Sequence, residues 1–124
     1  MEAWKTEKSE QVLDTPWVRV RKDTVSLPNG KRMDNFYAVT IRDAAAIVAL
    51  DEGGNVLLKR EYRHCYGREL IEIPAGAFEP GERDALAVAK RELLEETGYV
   101  SEHWQYLGST IDSSAKLTNY MHLF

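Results

Sequence analysis

The sequence predicts an α+β domain, on three observations. Short apolar runs of strand length recur along the chain, and clusters of turn residues separate them. One segment alone carries a capped helical pattern. At 124 residues there is chain enough for one hydrophobic core and too little for two, so residues 1–124 are expected to form a single domain.

The elements follow in order. Val18 and Val20 alternate with Arg19 and Arg21, the period of a strand with one wet face. LPNGK, Leu27 to Lys31, reads as a tight turn, because Asn-Gly tolerates the positive φ that hairpins need. FYAVTI (36–41) is the next strand. AAAIVAL (44–50) is an apolar run closed by DEGGN, and VLLKREYR (56–63) is expected to complete a hairpin with it. ELIEI (69–73) is a further strand, ended by Pro74, which has no N–H for a ladder.

The helix is expected over 85–97. Asp84 suits its N-cap and Gly98 its left-handed C-terminal stop, with Leu86, Leu93 and Leu94 facing a core. WQYLGSTI and NYMHLF read as two last strands. Phe124 ends the chain inside an apolar segment with no polar tail, so the expectation is a chain shorter than its parent; a terminal strand docked into a sheet is the alternative.

Composition narrows the partners. A net charge of −4 argues against a nucleic-acid binder, which tracks phosphates with a basic surface. No apolar run approaches the roughly 20 residues needed to cross a bilayer, and the N-terminus lacks a leader pattern. Cys65 is the sole cysteine, which points to a reducing, cytoplasmic setting. His64, His103 and His122 lack metal-ligand spacing and are assigned no role.

Chemistry concentrates in RELLEETGY. Glu92 and Glu96 lie one helical turn apart, with Glu95 beside them, and Tyr99 and Val100 take the following i+4 places where a neutralising base could sit. Two readings stand: a solvated acidic face, or a hard-oxygen site for Mg²⁺ or Mn²⁺ completed by carbonyls of the Gly/Pro-rich loop before the helix.

The spacing from Gly76 through Glu82 to Arg91, Glu92, Leu93, Glu95, Glu96, Gly98 and Tyr99 resembles the Nudix box. It departs by one residue, because eight positions rather than seven separate Glu82 from Arg91. Asp84 keeps its normal interval to Arg91, which assigns the extra residue, Arg83, to the loop. LPNGK, VLLKREYRH, ELIEIPAG and YLGSTI extend the likeness to the ADP-ribose pyrophosphatase branch over nearly the whole chain.

The resemblance implies an α/β/α sandwich around a mixed sheet, here C-terminally short. It implies metal-dependent hydrolysis of a nucleoside diphosphate linked to a moiety X, most simply ADP-ribose or a nucleotide sugar. Glu92 and Glu96 become the main metal ligands, with support from Glu95 and the Ala75 carbonyl. Arg91 joins these glutamates in the catalytic block, orienting Glu82 or a loop carbonyl. Arg63 is matched to substrate phosphates and Glu72 to the same pocket, with a surface-strand arginine and an outward-alternating glutamate as the alternatives; apart from the resemblance, Trp17 offers a ring for stacking on a base, with a core or interface place as its alternative.

The resemblance also implies a homodimer built through N-terminal strands within about residues 1–41. Relatives of this type continue past the strand ending at Phe124, into a loop with a catalytic base and a closing helix, and carry a glutamate where Asn119 stands. A nucleotide-binding module or a fragment with little turnover is therefore the alternative to an active hydrolase.

Overall fold

Alternating side chains, turn glycines and one capped helix produce eleven short elements in a computed structural model that describes residues 2–124. The strands are β1 (Lys5–Asp14), β2 (Arg19–Ser26), β3 (Arg32–Thr40), β4 (Ala44–Ala46), β5 (Lys59–Arg63), β6 (Arg68–Glu72), β7 (Ala75–Ala77), β8 (Gly108–Ile111) and β9 (Tyr120–Leu123). Helix α1 spans Ala85–Thr97, and a single 3-10 turn spans His64–Tyr66. These group into two compact units, residues 1–42 with 111–119 and residues 43–110 with 120–124.

In the first unit β1, β2 and β3 form an antiparallel sheet in that order. The Leu27–Lys31 turn joins β2 to β3, closed by Leu27 N–H on Lys31 O and Gly30 N–H on Leu27 O. All ten residues of β1 are exposed, so KTEKSEQVLD carries no apolar alternation by which a strand could be read. Its cross-strand pairing supplies its order instead. Asp23 on β2 is buried, and it accepts from Ser9 Oγ at 2.6 Å and Arg21 Nε at 2.9 Å.

In the second unit four strands form a mixed sheet in the order β7-β4-β9-β8; β4 runs antiparallel to β7 and parallel to β9. Helix α1 packs against β4 and β7. Ala45, Ile47, Val88, Ala89, Leu93 and Phe124 make the core. Phe124 is tied into the sheet by its N–H on Ala46 O and its carbonyl on Val48 N–H, and its ring meets Trp104 edge-on. A mixed sheet with one α-helix among the described residues bears out the α+β class.

Three expectations need correction. Residues 44–50 do not pair with 56–63 as a full hairpin. Contact there is a bridge between Leu50 and Val56 and a bond from Leu57 N–H to Ala49 O, while β5 takes β6 as its antiparallel partner. The stretch after Pro74 is expected to be loop, yet Ala75–Ala77 pairs with β4. Leu94 does not face the core and is 51% exposed. The buried stripe of α1 is Val88, Ala89, Glu92 and Leu93, and one further residue turns about 100° away from it.

Candidate functional site

Helix α1 is held in register at both ends. The Asp84 carboxylate accepts from Leu86 N–H at 2.9 Å and from Ala87 N–H at 3.4 Å, satisfying donors that the first turn leaves free. Gly98, at φ 74°, takes the left-handed stop and donates to Leu94 O. This register puts Glu92 on the buried stripe, 8% exposed, with Glu96 half-buried one turn on. The solvated-face reading therefore holds only for Glu95.

Glu92 lies over Gly76 of β7, so closely that a side chain on Gly76 would occupy the carboxylate's own place. Glu96 reaches the same strand, its Oε2 accepting from Ala75 N–H at 3.0 Å. Ala75 thus meets the cluster through its amide. Burial pushes the Glu92 carboxyl above its ordinary value; the charges of Glu96 and Glu95 add to this, and Arg91 opposes it.

Arg91 is the hub. Its Nε and Nη2 donate to the two oxygens of Glu82 at 3.0 and 2.9 Å, and Nη2 also reaches Ala77 O at 3.1 Å. Nη1 donates to Glu92 at 2.6 Å and to Glu95 at 3.1 Å. The hydrogen bonds it donates to Glu82 raise the guanidinium's pKa further, so it is permanently charged. The loop insertion at Arg83 leaves this bridge intact: Glu82 still faces Arg91, and its N–H donates to Glu79 O.

The β5–β6 ribbon supplies a second set of charges. Lys59, Glu61 and Arg63 alternate along β5 and so share a face; Glu72 is the cross-strand partner of Lys59. Lys59 Nζ donates to Glu96 Oε1 at 2.5 Å and also to Glu61. Burial works against the Lys59 charge, but the bonds to Glu61 and Glu96 outweigh it and raise its pKa. Arg63 grips Glu72 with Nε at 3.0 Å and with Nη2, and it donates from Nη1 to Glu61 at 3.0 Å. That grip holds the Glu72 carboxyl below its ordinary value.

The structure thus brings together Glu92, Glu95, Glu96, Arg91 and Ala75, and it joins Arg63 to Glu72. Trp17 belongs to the first unit, where the Arg42 guanidinium lies 4.3 Å from its ring centroid. Lys59 and Glu61 escaped the sequence reading, although their alternation with Arg63 along one strand was the signal that could have found them.

Among the described residues no three acidic, His or Cys side chains converge into a ready-made metal cluster. Arg91 and Lys59 neutralise the carboxylates instead. The donor set still suits a hard divalent cation: its side-chain donors are carboxylates, one of them desolvated and seated where only glycine leaves room. No helix among the described residues is long and apolar enough to cross a membrane.

Comparison with known proteins bears on the family and the fold. A family model described as the NUDIX domain matches residues 40–124, and one described as the nucleoside diphosphate sugar hydrolase N-terminal domain matches residues 4–39. The chain is 35% identical over 120 residues to a methanol dehydrogenase activator of Bacillus methanolicus, covering 97% of this chain and 64% of that one. It is 39% identical over 93 residues to an ADP-ribose pyrophosphatase of Mycobacterium tuberculosis, covering 71% of this chain and 42% of that one. It is 31% identical over 120 residues to an ADP-ribose pyrophosphatase of Bacillus subtilis, covering 97% and 64%. The chain therefore spans under two thirds of the length of these relatives. A crystal structure of an ADP compounds hydrolase shares the fold with a TM-score of 0.84 at 21% identity, over 99% of this chain and 66% of that one.

Proposed function

The chain belongs to the Nudix family, and from that premise we propose that it hydrolyses a nucleoside diphosphate linked to a second moiety, with ADP-ribose or a nucleotide sugar as substrate. The observation that carries this is the seating of Glu92 on Gly76 and of Glu96 on the Ala75 amide, which aims two helical carboxylates at one short strand.

Glu92 and Glu96, with Glu95 and the Ala75 carbonyl in support, would hold Mg²⁺ or Mn²⁺. When bound, such an ion neutralises phosphate charge and lowers the pKa of water. Arg91 ties Glu92 and Glu95 to Glu82 and the Ala77 carbonyl, so the helix and the preceding loop keep one geometry. Arg63 is held by Glu72 through Nε and Nη2 and by Glu61 through Nη1, and its guanidinium would take phosphate oxygens in exchange for these carboxylates. Support for a homodimer comes from β1, a long strand at the open edge of its sheet. The single free thiol of Cys65 supports the cytoplasm.

A nucleotide-binding module with little turnover is the second reading, favoured by the engagement of the carboxylates with Arg91 and Lys59. Incubation of the protein with ADP-ribose and Mg²⁺, followed by chromatography for AMP, separates the two. Hydrolysis lost in Glu96→Gln supports the enzyme. ADP-ribose binding by calorimetry without product supports the module.

A further inference from the structure

We propose that Lys59 is a built-in competitor for the divalent cation, its ammonium holding Glu96 until the ion displaces it and so setting how tightly metal binds. The inference rests on the reading of Glu92, Glu95 and Glu96 as the metal-holding carboxylates.

Both oxygens of Glu96 are engaged by the protein itself: Oε2 accepts from the Ala75 amide at 3.0 Å and Oε1 from Lys59 Nζ at 2.5 Å. An ammonium at that distance and a cation ligated at roughly 2.0–2.1 Å, as for Mg²⁺, would crowd two positive charges onto one carboxylate. The Lys59 side chain is only 11% exposed, so water screens the contest weakly.

The two neutralising cations differ in how they are tethered. Arg91 is fixed by both oxygens of Glu82 and by the Ala77 carbonyl, groups it would strand by leaving. Lys59 has a flexible four-carbon stem and bonds to two carboxylates, Glu61 and Glu96. Glu61 lies on β5 beside it and can keep the ammonium when Glu96 lets go. Lys59 is thus the exchangeable counter-ion and Arg91 the permanent one. Glu61 also accepts from Arg63, so release of Glu96 reaches the arginine gripped by Glu72 through one shared carboxylate.

The test uses Mn²⁺ alone, titrated into the 124-residue chain and followed by electron paramagnetic resonance and by thermal melting. Lys59→Met should bind Mn²⁺ roughly five- to tenfold more tightly than the parent and gain more in melting temperature on adding the ion, while Lys59→Arg stays near the parent. Glu61→Gln, which leaves the ammonium to Glu96 alone, should weaken Mn²⁺ binding, and it decides the matter if Lys59→Met does not fold. Parent binding that Glu96→Gln abolishes, with Lys59→Met no tighter or Glu61→Gln unchanged, overturns the role of Lys59 alone. Mn²⁺ binding that is absent, or indifferent to Glu96→Gln, overturns the carboxylate site and this inference with it.

Discussion

Gly76 and Glu92 claim the same space: a Cβ on Gly76 would lie 2.0 Å from the Glu92 carboxyl carbon and 2.1 and 2.2 Å from its oxygens. Gly76 does not sit at positive φ, so what it contributes is room rather than backbone freedom. Gly76→Ala should therefore push the carboxylate off its seat. The flexible end of Glu92 has to yield inside a packed region, at a cost of about 1–3 kcal/mol. Thermal melting should register that loss, and a Mn²⁺ titration should show affinity down by about tenfold, on the order of 1.4 kcal/mol. Unchanged Mn²⁺ affinity in a folded Gly76→Ala protein would refute the role given to this seat.

Arg91 and Arg83 provide a paired comparison. Arg91→Lys keeps the charge but cannot reproduce the fork onto Glu82 together with the contacts to Ala77, Glu92 and Glu95. Its melting temperature should fall clearly below that of the parent. Arg83 is exposed in the loop, and Arg83→Ala should stay within about 0.5 kcal/mol of the parent. Equal melting points for the two variants would contradict the assignment of Arg91 as the hub.

Asp23 sets an acid limit in the first unit. The Ser9 hydroxyl, aided by Arg21, holds its carboxyl below the ordinary value of 3.8. A carboxyl lowered by folding adds stability that is fully present above the unfolded pKa and is lost as pH falls through the folded one. Asp23→Asn should thus cost about 1–2 kcal/mol near neutral pH, and the gap should close as the pH drops below 3.8. Urea unfolding at pH 7 and at pH 3 measures both; a gap that widens in acid runs against the assignment.

The legible parts of this molecule are those governed by neighbours in sequence. Asp84, Gly98 and the period between them placed α1 at its observed bounds, because capping is local chemistry. Asn29-Gly30 placed its turn for the same reason. The partner of β5 is not legible in the same way, because pairing is chosen by burial and register across distant segments, and Ala44–Ala46 is taken by β7 and β9. In the site, the glutamates were readable from their spacing. Their neutralisation was not, since Arg91 lies N-terminal to Glu92 and Glu95 and Lys59 comes from another strand. Neither cation stands at an i+4 position after one of these glutamates.

The parallel pairing of β4 with β9 fastens Ala44–Ala46 to Met121–Leu123, and Tyr120 N–H bonds the Asp43 carboxylate across 77 residues of chain. Folding of the second unit must therefore close a long loop before its sheet is complete, and that search is an entropic step rather than a local one. Helix α1 with its glutamates and caps can form early, but the floor beneath it waits for β9, far along the chain from β4. Refolding speed should consequently track β9 rather than the helix, and damage to residues 120–124 should be felt first as slow maturation.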